Sequence, residues 1–454
     1  MLSNISLCSL SKINKYIEQV DSSTSDEFNH KWYITGTVIK VGKLLISAYL
    51  PGCIIGSICK ILPDCIYAEV IAINKNIITL LPLHNDVNIF YGQRILIHSD
   101  QQYIYLYDNL VGKVLDGFGY DVLNNNSDIH KHAEKRGLIT PPPSFVDKKK
   151  INTPLSIGVR AIDALMTCGI GQRIGIFAGS GVGKSSLLEM ILKGVTCDII
   201  VLALIGERGR EVNEFLLCIP PEIRAKIIFV VATAERSALE RMKSAYTATT
   251  IAEWYRDKGL NVVLLMDSLT RFARALRDVS LAGGEPLVRG GYTATVFSEL
   301  PVLLERAGPN NNGSITAIYT VLIEDDSIND PLGDEIRSLL DGHVFLSRKL
   351  AGKHFFPAID IFNSSSRVMQ NVVSQEHIKA AGLFKDIYSR YEDIELLIRI
   401  GEYQRGLDLE MDKVIDDRKL FEQFLRQDSK VETCFEDTKN KLFKLVEMYD
   451  QKTY

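Results

Sequence analysis

Residues 172–194 read QRIGIFAGSGVGKSSLLEMILKG. The apolar run QRIGIFA predicts a buried strand and LLEMILKG a helix. Between them AGSGVGKSS (178–186) is a glycine loop in the strand–loop–helix setting that phosphate binding requires. Gly179, Gly181 and Gly183 let backbone N–H groups turn inward around an anion. The next helix points the positive end of its dipole at the same place. Lys184 is expected to reach nucleotide phosphates and the Ser185 hydroxyl to bind Mg²⁺. Ser180, Val182 and Ser186 complete the candidate loop contacts. Ala178 stands where the usual G-x-x-x-x-G-K-[ST] pattern has glycine, and alanine is small enough to keep the reading. A Gly-rich turn with a chance Lys-Ser is the competing explanation, and the flanking elements argue against it.

Two further strand ends carry charge. NVVLLMDS (261–268) is an apolar run ending in Asp267. A carboxylate at the C-terminal edge of a parallel strand beside a phosphate loop can hold the Mg²⁺ shell. An Asp after an apolar run is otherwise a turn or helix cap. IGERGREVNEF (205–215) ends another apolar strand and presents Glu207 and Arg208. A carboxylate that orients water suits Glu207, and a cation near a γ-phosphate suits Arg208. A solvated charge cluster explains the same segment equally well. Glu211 is a further pocket candidate against a surface reading.

Working outward, strands and helices alternate from Pro154 to about Gln370. QRIGIFAG, CDIIVLALIG, AKIIFVVAT and NVVLLMDS are near-continuous apolar runs, which predict a parallel sheet covered on both faces. Short β-type runs broken by Gly, Pro, Asn and Asp run from Lys31 to about Tyr107 and predict a small β-barrel. Pro141, Pro142 and Pro143 read as an extended linker. From His377 the pattern turns helical. The expected division is an N-terminal segment 1–30, a barrel 31–107, a linker 108–153, an α/β core 154–376 and a C-terminal helical domain 377–454.

The 454 residues allow two or three domains. Hydrophobic content of 46% with charged content of 24% is that of an ordinary globular chain. A formal net charge of −4 gives no argument for nucleic acid as main partner. The eight cysteines have no zinc-like spacing and read as free thiols in a reducing compartment. No apolar run approaches the ~20 residues that span a bilayer. The N-terminus lacks a secretory pattern. Leu10, Ile13, Ile17 and Val20 step at helical spacing, which suits a short docking helix or contact with a partner or membrane surface.

Several motifs together carry a resemblance. AGSGVGKSS, GERGREVNEF, VLLMDSLTRFARA, GYTATVFSELPVLLERAG, DEIRSLLDGHVFLSRKLA and PAIDIFNSSSR resemble the rotary ATPase superfamily, over nearly the whole chain. GERGREVNEF in place of a synthase-like GERTREGND, with LVGKVLDGFG and DGHVFLSRKLAGKHFFPAID, looks like the type III secretion ATPases and their flagellar export relatives. LLIRIGEYQRGLDLEMDKVID resembles the injectisome branch, including the invasion-type systems. The resemblance implies a RecA-like core that binds ATP and Mg²⁺. It gives Lys184 and Ser185 the phosphate and metal positions, Glu207 the water-positioning glutamate, Arg208 and Arg271 arginines near the phosphates, and Asp267 the strand-end aspartate. It makes Arg367 the arginine supplied to a neighbouring subunit's ATP. Phe356 matches an aromatic on the adenine, although HFF offers two candidates and a core phenylalanine competes. Tyr403 is a weaker second aromatic.

The resemblance further implies a cytoplasmic homohexamer, peripheral at the inner membrane. It would act with a stator-like regulator, a central coiled-coil stalk protein, an export gate and chaperone–effector complexes, and without nucleic acid. Hydrolysis would power chaperone release, unfolding and export. A flagellar export ATPase, a subunit of an ion-pumping rotary ATPase and a hexameric RNA helicase remain as alternatives.

Overall fold

The computed structural model describes residues 34–85, 88–123, 133–323, 330–406 and 409–450. The N-terminal segment 1–30, with its expected partner or membrane contact, lies outside them.

Six strands close a barrel: β1 (Thr35–Val41), β2 (Ile46–Tyr49), β3 (Ile58–Ile61), β4 (Ile66–Asn74), β5 (Ile77–Pro82) and β6 (Arg94–Ser99). Their order around the barrel is β1-β2-β5-β4-β3-β6, every pair antiparallel. Alternation along the strands turns Val38, Ala48, Val70, Ile78, Leu80 and Ile95 into the interior. Closure leaves no unpaired edge, the usual reason such small barrels hold together.

The chain leaves through β7 (Tyr103–Leu106), β8 (Val114–Leu115) and β9 (Glu134–Gly137). β7 and β9 pair antiparallel, while β8 joins the edge of the central sheet beside the strand Ile227–Ala232. The expected linker 108–153 is therefore partly packed rather than a free connection. At Gly117 the backbone lies so close to the carbonyl of Glu240 that a Cβ would sit 2.4 Å from it. The short strands β10 (Pro154–Leu155) and β11 (Cys168–Gly169) form a ribbon ahead of the core.

The core sheet contains β12 (Arg173–Ala178), β13 (Ile199–Ile205), β14 (Ile227–Ala232), β15 (Asn261–Asp267), β16 (Gly308–Pro309), β17 (Ser314–Leu322), β18 (Gly342–Leu346) and β19 (Ile359–Ser366). The order is β19-β18-β12-β17-β15-β13-β14-β8, with β16 paired to β17. β8, β12, β13, β14, β15, β17 and β18 run parallel, as the apolar runs of β12, β13, β14 and β15 predict. The reading as a parallel sheet needs two corrections: β19 is antiparallel to β18 at the edge, and the two-residue β16 is antiparallel to β17. Two apolar clusters cover the two faces. The helix Ala238–Asp257 packs on one face, while the helix after the glycine loop and the C-terminal helices share the other.

Two junctions fix the units to one another. Lys243 of the helix Ala238–Asp257 and Glu69 of β4 form a buried ion pair at 2.8 Å between core and barrel. The C-terminal helices Gln375–Ile400, Leu409–Leu425 and Phe435–Asp450 contribute Phe384, Phe421, Phe424 and Leu442 to the second cluster. Gln427 ties them to the core, its Oε1 accepting from Arg160 N at 2.9 Å and its Nε2 donating to Gly158 O at 2.8 Å.

Candidate nucleotide site

The parallel strands of the core end on one rim, and the chain's singled-out charges gather there. β12 ends at Ala178, the loop Gly179–Gly183 follows, and the helix Lys184–Gly194 begins at once. Gly181 and Gly183 hold φ of 75° and 90°, a region where only glycine is at ease. Leu187, Leu188, Met190 and Ile191 anchor the helix in the core, so the loop stands on a rigid base. Ser185 and Ser186 are exposed in the first turn. Val182 is the exception among the predicted loop contacts, because its side chain is buried beneath the loop and it can offer only backbone.

Asp267 ends β15, two strands from β12, with β17 between. Thr320 of β17 donates its hydroxyl to Asp267 Oδ1 at 2.7 Å. Lys184 Nζ pairs with the same oxygen and approaches Glu207 Oε1 at 3.4 Å. Glu207 follows β13 after Gly206, whose φ of 67° turns the chain out of the sheet. Arg271 Nη2 donates to Glu207 Oε2 at 3.0 Å, and its Nη1 donates to the Gly206 carbonyl. Arg271 lies in the first turn of the helix Leu269–Ala282, which is capped by Ser268. Burial pushes the Glu207 carboxyl up from its usual value, with the Lys184 charge pulling the other way. A carboxylate so poised can take a proton from water.

These groups border a cleft of about 660 Å³, large enough for a nucleotide. Gly179, Ser180, Gly181, Gly183, Lys184, Ser185 and Ser186 line it, with Glu207, Asp267, Arg271 and Glu211. Sequence reasoning missed Arg274, Phe215 and Arg348 in the wall, and Thr320 behind Asp267. The donor set fits Mg²⁺, since Ser185 and Asp267 supply hard oxygen ligands. Among the described residues no group of three or more His, Cys, Asp and Glu could hold a metal by itself. The remaining ligands of a magnesium ion here would come from phosphate and water, as is usual for this ion.

Three predicted residues stand apart. Arg208 has a side chain 81% exposed, pairs with Glu211 at 3.4 Å and is not in the cleft wall. Arg367 follows β19 and donates its backbone N–H to Asp341 O at 2.9 Å, while Asp341 N donates to Arg173 O. That places Arg367 level with the first residue of β12 and one strand beyond β18, whereas the phosphate loop follows the last. Five residue steps of strand separate them, about 17 Å. Tyr403 is engaged within the C-terminal helices, donating to Asp412 at 2.8 Å.

Burial tells the two phenylalanines of HFF apart. Phe355 is 5% exposed in the second cluster, whereas Phe356 is 41% exposed. The Phe356 ring lies against the loop, where a Cβ on Gly183 would come within 3.2 Å of it.

A partly exposed lysine, two strand-end carboxylates and an arginine at a glycine loop define a phosphate-loop nucleotide-binding core joined to a small barrel. Residues 158–366 match the family model of the ATP synthase alpha/beta nucleotide-binding domain, and residues 373–444 match that of the T3SS EscN ATPase C-terminal domain. The SPI-2 type 3 secretion system ATPase of Salmonella typhimurium is 47% identical over 400 residues, which is 88% of this chain and 92% of that protein. The assembled ATPase EscN of enteropathogenic E. coli superposes with a TM-score of 0.86 at 54% identity, over 90% of this chain and 100% of that one. EscN in complex with its central stalk EscO gives 0.84 at 53% identity over the same shares. The chain belongs to the ATP synthase alpha/beta family and, within it, to the type III secretion ATPases.

Proposed function

We propose that this chain hydrolyses ATP to ADP and phosphate to power protein export through a type III secretion system, including chaperone release and unfolding of the cargo. The observation that carries the reading is the convergence of Lys184, Glu207, Asp267 and Arg271 at one phosphate loop. Lys184 and the loop amides bind the phosphates. Glu207, held by Arg271, orients water and accepts its proton for in-line attack. Ser185 and Asp267 would hold Mg²⁺, which would supply charge neutralisation on the phosphates. Phe356 packs on the adenine.

Arg367 completes a neighbour's site. Its separation from its own loop supports this, because no rotamer of one arginine covers that span. A homohexamer follows as the assembly, and the assembled state of EscN supports it. A central stalk protein is a natural partner, since EscN is found with one. The stator-like regulator, the export gate, the chaperone–effector complexes and peripheral attachment to the cytoplasmic face of the inner membrane rest on the resemblance. None of the described helices is long and apolar enough to cross a membrane.

The test is gentle purification of a C-terminally tagged chain from its native cell, followed by ATPase assay and mass spectrometry. Recovery with a coiled-coil stalk protein and secretion chaperones supports the reading. Flagellar partners, ion-pump subunits or RNA-stimulated turnover would replace it.

A further inference from the structure

Arg348 was not among the residues the sequence singled out, yet it stands on the phosphate loop. β18 runs parallel to β12 with Leu346 opposite Ala178, so both chains leave the sheet side by side. Arg348 then comes over Gly179, the first residue of the loop. A Cβ built on Gly179 would lie 2.8 Å from Arg348 Nε, 2.9 Å from Nη2 and 3.3 Å from Cζ. Nε and Nη2 lie nearer than Cζ, so the guanidinium meets the glycine with its Nε–Nη2 edge. Gly179 is not among the glycines with positive φ. Its lack of a side chain therefore serves the arginine and not the backbone turn.

The segment that Arg348 opens returns to the loop at its other end, where Phe356 meets Gly183. The segment is also held from behind. Arg426 Nη1 donates to His354 O at 3.1 Å, and Gln427 N donates to Phe356 O at 3.1 Å. A stretch anchored on the C-terminal helices thus touches both ends of the loop.

We propose that Arg348 is a positioning residue that holds the phosphate loop in its binding shape by packing on Gly179. The proposal rests on the nucleotide-site reading above. Arg348 is exposed, so its replacement leaves the core intact. A loop-positioning role affects every nucleotide whose phosphates the loop cradles. A direct γ-phosphate contact affects ATP alone.

The experiment measures dissociation constants of the full-length protein for ADP and for a non-hydrolysable ATP analogue. Arg348→Ala is expected to weaken both alike, on the order of tenfold. Gly179→Ala puts a methyl group where the guanidinium lies and is expected to evict it, with the same loss. The double variant is then expected to bind no worse than the weaker single one, because both changes remove one contact. Additive losses would overturn the proposal, as would a loss confined to the ATP analogue or unchanged binding in Arg348→Ala. Lys184→Ala separates the two readings. If it leaves both nucleotides bound, the nucleotide site itself has been misread and this inference falls with it.

Discussion

Arg271 and Glu207 are joined at 3.0 Å, and the arginine also donates to the carbonyl of Gly206 directly before the glutamate. One guanidinium thereby fixes both the side chain and the backbone of Glu207. Lys184 approaches the second carboxylate oxygen at 3.4 Å, so the group is oriented from two sides.

Glu207→Gln keeps the shape and loses the base. The variant is expected to bind ATP and to hydrolyse it at least about 10²-fold more slowly, the usual worth of a positioned base. The wild type should show the matching pH dependence. Burial raises the Glu207 pKa, so the carboxyl takes up its proton at a higher pH than an exposed glutamate would. Hydrolysis is expected to fall as pH is lowered through that raised value, because the protonated acid cannot accept a proton from water. The acid limb of kcat/KM should lie above the ordinary glutamate range. A limb at or below it, or rapid turnover by Glu207→Gln, assigns the base elsewhere.

Arg367→Ala is expected to fold normally and to lose about 10³–10⁵ in rate, the range for an arginine supplied to a transferring phosphoryl group. Mixing it with Lys184→Ala protein should restore part of the activity, since some interfaces then combine an intact loop with an intact arginine. Turnover of the co-assembled mixture no higher than the sum of its parts would place the arginine's action within its own chain.

Phe355 and Phe356 are adjacent and should fail differently. Phe355→Ala empties a core position and is expected to cost about 3–5 kcal/mol of stability. Phe356→Ala should leave the melting temperature nearly unchanged and weaken ATP binding by about 1–3 kcal/mol, the worth of a base stacked on an aromatic ring. Thermal melts beside nucleotide titrations read both. Equal effects of the two substitutions on binding would argue against the adenine assignment.

Lys243 and Glu69 join barrel to core where neither side chain reaches water freely. Among the described residues the second Glu69 oxygen, Oε2, is buried without a hydrogen-bond partner, so this carboxylate depends on the lysine. Lys243→Ala is expected to cost about 3–5 kcal/mol by stranding a buried charge. Combining Lys243→Met with Glu69→Leu should recover most of that, because an apolar pair needs no partner. Denaturant unfolding of both variants decides it, and a double variant as unstable as the single one would mean the pair does more than neutralise itself.

The phosphate loop, Asp267 and the barrel were legible because each is written locally, in a glycine pattern, a strand end or an alternating run. Other features depend on which strands become neighbours, and no local pattern carries that. Arg348 matters because β18 lies beside β12, and Thr320 because β17 lies between β12 and β15. The reversed direction of β19 escaped notice because a stretch such as IDIFNSSS carries no local mark of the direction in which it pairs. β8 has only two residues, too few for any period to show. HFF could not be divided in sequence, since only the packing of the second cluster tells the buried ring from the open one.

The single strand between β12, whose loop leads to Lys184, and β15, which ends at Asp267, has a consequence for how the site survives change. Two rungs of the sheet set the gap between the two strand ends, about 9–10 Å, and backbone pairing fixes each rung. The gauge of the phosphate berth is therefore written in peptide groups, which every sequence shares. Apolar residues beneath it can drift from valine to isoleucine to leucine over long descent while the lysine and the aspartate keep their spacing. Substitutions inside the barrel leave that spacing untouched.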